Sequence, residues 1–167
     1  EELLACAPRL RALGRLGSGL DNIDLAACRR RNVAVYPASG VNARSVAEYV
    51  ICAALMLLRS GAYTCTTEVA AGAWPKMQVR TGREMDGKTI GIAGLGAIGQ
   101  LVARLANGMG MRVIAWAPTK AADDEIFRTL DATPVSMEAL LAESDILTLH
   151  VPLTSDTRGL ISRQRIG

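Results

Sequence analysis

The chain has 167 residues, 50% of them hydrophobic and 21% charged, with a net charge of +3. That length holds one domain or slightly more around a core of useful size, and the composition is that of an ordinary globular protein. The small net charge argues against nucleic acid as a partner; the one dense basic run, Arg29-Arg30-Arg31, ends an expected helix, where dipole and solvent both favour cations.

Leu10 to Leu16 reads as the end of a helix running into a short strand. "GSGLDNID" is a glycine-rich turn, and Asp24 is placed to cap a helix over Leu25 to Arg31. "NVAVYP" (Asn32 to Pro37) is a short strand stopped by Pro37, and "ASGVNARS" is a loop. Ser45 and Glu48 form a capping box for an apolar helix from Val46 to Leu58. This helix is too short to span a bilayer and is expected to be buried on most faces, with Ala53 and Ala54 admitting a close neighbour. Ala62 to Met85 is irregular or loosely helical, broken at Gly72 and at Trp74-Pro75.

A regular alternation follows. Lys88 to Gly94 is a buried strand, Ala97 to Met109 a helix and Arg112 to Ala117 a strand. Ala121 to Leu130 is a helix, Thr133 to Val135 a short strand, Met137 to Ala142 a helical turn and Asp145 to Pro152 a further strand. Strand–helix alternation with a glycine loop at the first turn predicts an α/β fold with a doubly wound parallel sheet. Cys6, Cys28, Cys52 and Cys65 form no C-x-x-C pair and no metal spacing. They read as reduced, mostly buried residues of a cytoplasmic protein, and nothing at the amino terminus reads as a signal peptide.

Gly94, Gly96 and Gly99 make G-x-G-x-x-G between a strand and a helix, with a second strand at the right distance. Gly94 suits a tight turn, Gly96 a close approach of backbone to pyrophosphate, and Gly99 close helix–strand packing. The amides of Ala97 and Ile98 would then meet phosphate at a helix N-terminus. The competing reading is a glycine-rich turn without a ligand. The second strand should end in an acid for the adenosine ribose, but it ends in Ala117, followed by Pro118, Thr119 and Lys120. Loss of the acid removes repulsion against a 2′-phosphate, which Lys120 and Thr119 could bind; the alternative is a merely solvated Lys120. NAD or NADP is therefore the expected cofactor, with NADP at least tolerated. His150, the single histidine, sits at the carboxyl edge of the sheet. Ordering the loop "HVPLT" is favoured for it over general acid catalysis.

Four stretches, "GSGLDNIDLAACRRRNVAV", "NARSVAEYVI", "MDGKTIGIAGLGAIGQLVARLANGMGMRVIAW" and "HVPLTSDTRGLI", resemble the D-isomer-specific 2-hydroxyacid dehydrogenases. The resemblance implies a Rossmann-like domain inserted in a second α/β substrate domain. Residues 1–44 would be the end of the substrate domain, 45–85 an interdomain helix and linker, and 86–167 part of the dinucleotide domain. It implies that amides at Gly17, Ser18 and Gly19 take the substrate carboxylate, and that Asn42 and Arg44 lie near the crossing between domains. His150, Val151 and Pro152 would line the cofactor, with Thr157 just beyond. The helix from Val46 to Leu58 would contribute to homodimer contacts.

In that family, hydride passes between a nicotinamide and C2 of a small 2-hydroxy or 2-oxo acid, with an arginine, a glutamate and a histidine as catalytic groups. No N-x-A-R-G stretch occurs here, and Arg158, Arg163 and Arg165 match none of the family's motifs and read as surface residues. The expectation is an internal fragment with no catalytic residue of its own and no metal site, inactive alone. The alternatives are a non-catalytic dinucleotide-binding regulatory module and an incomplete product without a function.

Overall fold

The computed structural model describes residues 2–59 and 64–166. The chain divides into two compact units, residues 1–43 with 152–160, and residues 44–151 with 161–167.

The first unit contains α1 (Glu2–Ala5), β1 (Ala12–Arg15), α2 (Leu25–Arg30) and β2 (Ala34–Pro37). β1 and β2 pair in parallel, Ala12 opposite Ala34. Leu4, Ala27, Cys28 and Val33 form a small core, with Leu10, Leu13, Ile23 and Val35 packed on it. Asp24 caps α2 as expected, its carboxylate accepting from the Ala27 N–H at 2.8 Å. The helix stops because Asn32 takes a left-handed φ of 53°, and the Val33 N–H returns to the Cys28 carbonyl at 2.9 Å. Arg31 donates to the carbonyls of Leu4 and Ala7, tying α1 to the end of α2. Leu10 is not helical; the preceding helix ends at Ala5.

The second unit holds α3 (Ala43–Arg59, its first residue in the first unit), α4 (Thr66–Ala70), α5 (Lys76–Val79), β3 (Thr89–Ala93), α6 (Ala97–Gly108) and β4 (Arg112–Trp116). After these come α7 (Glu125–Thr129), β5 (Ala132–Pro134), α8 (Met137–Glu143), β6 (Ile146–Leu149) and α9 (Arg163–Ile166). The sheet is wholly parallel in the order β5-β4-β3-β6. Every residue of β3 is buried, as befits a strand covered on both faces. Ile90, Ile92, Val102, Ala106 and Val113 centre the core. Gly91 lets α8 press on the sheet: a Cβ there would lie 1.9 Å from Ser144 Oγ.

Four expectations are corrected. Ser45 does not cap α3, which begins two residues earlier; a turn with Gly40 at φ 78° brings the Ala43 N–H to the Gly40 carbonyl at 3.1 Å. Glu48 instead pairs with Arg44 one turn back, at 3.0 Å. Only Ala43, Ala47 and Ala54 of the helix are fully buried, while Tyr49 and Leu57 are 73% and 75% exposed. Val50, Ile51, Leu55 and Leu58 pack against the core while remaining partly exposed. α7 is shorter than expected because residues 121–124 form a turn and Asp124 caps the helix, accepting from the Ile126 N–H at 3.0 Å. Of the four cysteines, Cys28 and Cys65 are buried, whereas Cys6 and Cys52 are exposed. Among the described residues, no helix is long and apolar enough to cross a membrane and no cluster of side chains could hold a metal.

Candidate functional site

Register brings the carboxyl ends of three strands level, since Ala93 lies opposite both Trp116 and Leu149. Ligands of open parallel sheets collect at this edge. β3 leaves the sheet through Gly94, whose φ of +98° favours glycine and whose N–H donates to the Trp116 carbonyl at 2.8 Å. A Cβ on Gly94 would also stand 2.8 Å from the His150 carbonyl oxygen and 2.9 Å from Val151 Cγ1. Two adjacent loops therefore close over that glycine.

Gly96 is the N-cap of α6 and has no side chain to satisfy the helix's first donors. A Cβ built on it meets nothing within 4 Å, and the N–H groups of Ala97 and Ile98 make no hydrogen bond among the described residues. The loop thus presents open space beside free amides at a helix N-terminus, an arrangement that fits a pyrophosphate. Gly99 is one turn further along. Its Cβ would fall 2.0 Å from the Gly94 carbonyl oxygen and 3.3 Å from Ile92 Cγ2, so helix and strand approach as closely as glycine permits. Gln100 braces the loop, its Nε2 donating to the Leu95 carbonyl at 3.1 Å.

Beyond β4, Ala117 is buried and Thr119 and Lys120 are exposed. The Lys120 N–H closes a turn onto the Ala117 carbonyl at 2.9 Å. Ala117, Pro118, Lys120, Ala122 and Ser136 help line a pocket of about 360 Å³. Lys120 is not merely solvated, because its Nζ lies 3.6 Å from Asp124 Oδ2. No sequence signal announced this pair, since the four-residue spacing crosses a turn rather than a helix.

His150 follows β6 directly, its N–H donating to the Ala93 carbonyl at 2.7 Å. Its Nε2 is 2.9 Å from Thr148 Oγ1, two residues back on the strand, a partner that sequence reasoning missed. Alternation along a strand places such residues on one face, so the signal was present. Burial holds the imidazole pKa below its ordinary 6.5. The unfolded chain then binds a proton that the folded chain refuses, so stability falls as pH drops below 6.5 toward the lower folded value. Asp145, held below 3.8 chiefly by the Thr89 N–H, loses its contribution only in stronger acid. The melting temperature should therefore decline between pH 7 and 5, and His150→Gln should flatten that limb. Thermal denaturation followed by circular dichroism across this range checks it; an equal slope in both proteins would exclude His150 as the source.

The remaining expected site residues belong to the first unit. Gly17 has φ +118°, Ser18 and Gly19 are exposed, and Arg15 Nε holds the Gly19 carbonyl at 3.0 Å. Asn42 is exposed immediately before α3. Thr157 Oγ1 accepts from the Thr154 N–H at 2.8 Å and donates to the Pro152 carbonyl, folding that loop on itself.

A parallel sheet whose central strand turns through three glycines into a helix with free N-terminal amides defines a dinucleotide-binding α/β domain. The chain belongs to the D-isomer-specific 2-hydroxyacid dehydrogenase family, whose NAD-binding domain model matches residues 51–167. It is 47% identical over 165 residues to (S)-sulfolactate dehydrogenase of Chromohalobacter salexigens, covering 99% of this chain and 52% of that protein. It is 37% identical to hydroxypyruvate reductase of Thermotoga maritima, with the same coverage. Among solved structures, D-lactate dehydrogenase from Aquifex aeolicus complexed with NAD and lactic acid superposes with a TM-score of 0.83 at 30% identity, over 99% of this chain and 48% of that one. An NAD complex of formate dehydrogenase from Staphylococcus aureus gives 0.82 at 34% identity, over 98% and 48%. The chain spans about half the length of these relatives.

Proposed function

We propose that these residues belong to an oxidoreductase moving a hydride between NAD(P) and a small 2-hydroxy or 2-oxo acid. The observation that carries this reading is the open cradle at Gly96, level with Ala117 and His150 at one edge of the sheet. When bound, the nicotinamide supplies or accepts the hydride. Gly94, Gly96 and Gly99 shape the loop, and the amides of Ala97 and Ile98 bind the pyrophosphate. Ala117, Thr119 and Lys120 face the adenosine ribose; His150, Val151, Pro152 and Thr157 line the cofactor. Gly17, Ser18, Gly19 and Asn42 bind the acid, whose carboxylate suits adjacent amides. Residues 1–44 serve the substrate domain, 45–85 link, and 86–167 bind the dinucleotide.

The complete protein acts in the cytoplasm as a homodimer, without nucleic acid or membrane. Relatives named for sulfolactate, hydroxypyruvate and glyoxylate support a small-acid substrate. His150 holds the loop: its ring is engaged by Thr148, and no carboxylate is bonded to it among the described residues. Residues 1–167 alone should therefore bind dinucleotide and turn nothing over. The test is consumption of NADH or NADPH by the full-length protein with glyoxylate, hydroxypyruvate or sulfopyruvate. Turnover of none, together with no dinucleotide binding by calorimetry, would refute the reading.

Cofactor choice gives a second expectation. With Ala117 in place of an acid, NADP should bind at least as well as NAD. Ala117→Asp should shift preference toward NAD by about tenfold, restoring a ribose acceptor and repelling a 2′-phosphate. Titration of both cofactors against both proteins checks this, and strong NAD preference in the unmodified protein would exclude Lys120 as a phosphate ligand.

A further inference from the structure

Lys120 lines the pocket beyond β4, and Asp124 stands beside it on the turn that leads into α7. Lys120 is 39% exposed and Asp124 32%, with Nζ and Oδ2 3.6 Å apart. The two carboxylate oxygens of Asp124 have separate tasks: Oδ1 caps α7 through the Ile126 N–H, and Oδ2 faces the ammonium. The cap holds the carboxylate in place, so its charge stays beside Lys120. An ion pair this exposed is weak enough for a dianionic phosphate monoester to compete for the lysine.

We propose that Asp124 is a counter-ion gate for the dinucleotide's adenosine end, holding Lys120 away from a 2′-phosphate and setting how strongly the protein favours NADP. The inference rests on the reading that Lys120 faces that phosphate. Asp124 acts in two ways of the same sign. It neutralises the cation that would bind the phosphate, and its own charge repels the incoming dianion. NAD, with a neutral 2′-hydroxyl, encounters neither effect. The missing acid at Ala117 therefore leaves the site permissive rather than selective for NADP, because a second acid, supplied by the turn between β4 and α7, restrains the only cation among Ala117, Pro118, Thr119 and Lys120.

Asp124→Asn separates the charge from the cap, because asparagine caps a helix as well as aspartate. Asp124→Ser repeats the test with a different neutral cap. Calorimetric titration of the intact protein with NAD, NADP, 5′-AMP and 2′,5′-ADP reads affinity without turnover. Both variants should tighten NADP and 2′,5′-ADP by about two- to fivefold, the scale of an exposed ion pair, with NAD and 5′-AMP unchanged. Lys120→Ala should weaken NADP by about tenfold and erase the gain from Asp124→Asn when the two are combined. If Lys120→Ala weakens NADP but neither Asp124 variant changes the NADP-to-NAD ratio, the gate is refuted while the lysine keeps its role. If Lys120→Ala changes nothing in either background, the underlying reading falls, and the gate with it.

Discussion

Gly96→Val is expected to weaken dinucleotide binding by about 100-fold or more while leaving the fold in place, an affinity loss of roughly 2.7 kcal/mol. The structure separates the two consequences. Gly96 has φ −75° and ψ −166°, extended backbone open to any residue, and a Cβ there meets nothing within 4 Å. The chain can therefore carry a branched side chain at this position. Valine is a poor N-cap, so a stability loss of about 1 kcal/mol is expected. In the proposed site a pyrophosphate needs the same open space to reach the amides of Ala97 and Ile98, and the two valine methyl groups would occupy it. Calorimetric titration with NAD measures the loss, and circular dichroism monitors the fold. Unchanged affinity in a folded variant would remove the loop from the cofactor site.

Gly99→Ala should do the reverse, attacking the fold first. A Cβ at this position would lie 2.0 Å from the Gly94 carbonyl oxygen, far inside van der Waals contact, and the obstacle is backbone. α6 must then move off β3, opening a core in which Ile92, Val102 and Ala103 are fully buried. Overpacking of this kind costs about 3 kcal/mol, which for a chain of this size lowers the melting temperature by roughly 6–12 °C. Binding should weaken as well, because the displaced helix carries the amides proposed to hold the phosphate. A melting temperature within about 2 °C of the unmodified protein would mean that the close approach is relieved by small shifts. One methyl group at Gly99 should thus cost more stability than three added carbons at Gly96.

Both predictions start from a pattern visible in the sequence. The spacing of Gly94, Gly96 and Gly99 between an apolar run and an amphipathic one placed the turn and the helix start correctly. The strands β3 and β4 were legible for the same reason: each is a short β-branched stretch in a regular alternation, and local propensity agrees with the tertiary context. Asp24 was legible as a cap because capping is a contact over three residues. Ser45 misled because its capping-box spacing is equally compatible with the helix interior. A turn at Gly40, rather than Ser45, decided where α3 began.

The residues themselves determined the α/β class, the parallel order of strands and helices, and the position of the glycine loop. These depend on hydrophobic period, on glycine's access to positive φ and on short-range hydrogen bonds, all written within a few residues of one another. Only the tertiary structure decided that Ala43, Ala47 and Ala54 are the fully buried positions of α3, that Gly91 admits Ser144, and that Asp124 pairs with Lys120. Burial depends on which faces of neighbouring elements meet, and the Lys120–Asp124 pair depends on the path of a turn. The carboxyl ends of β3, β4 and β6 come level only in the assembled sheet, which no local stretch specifies.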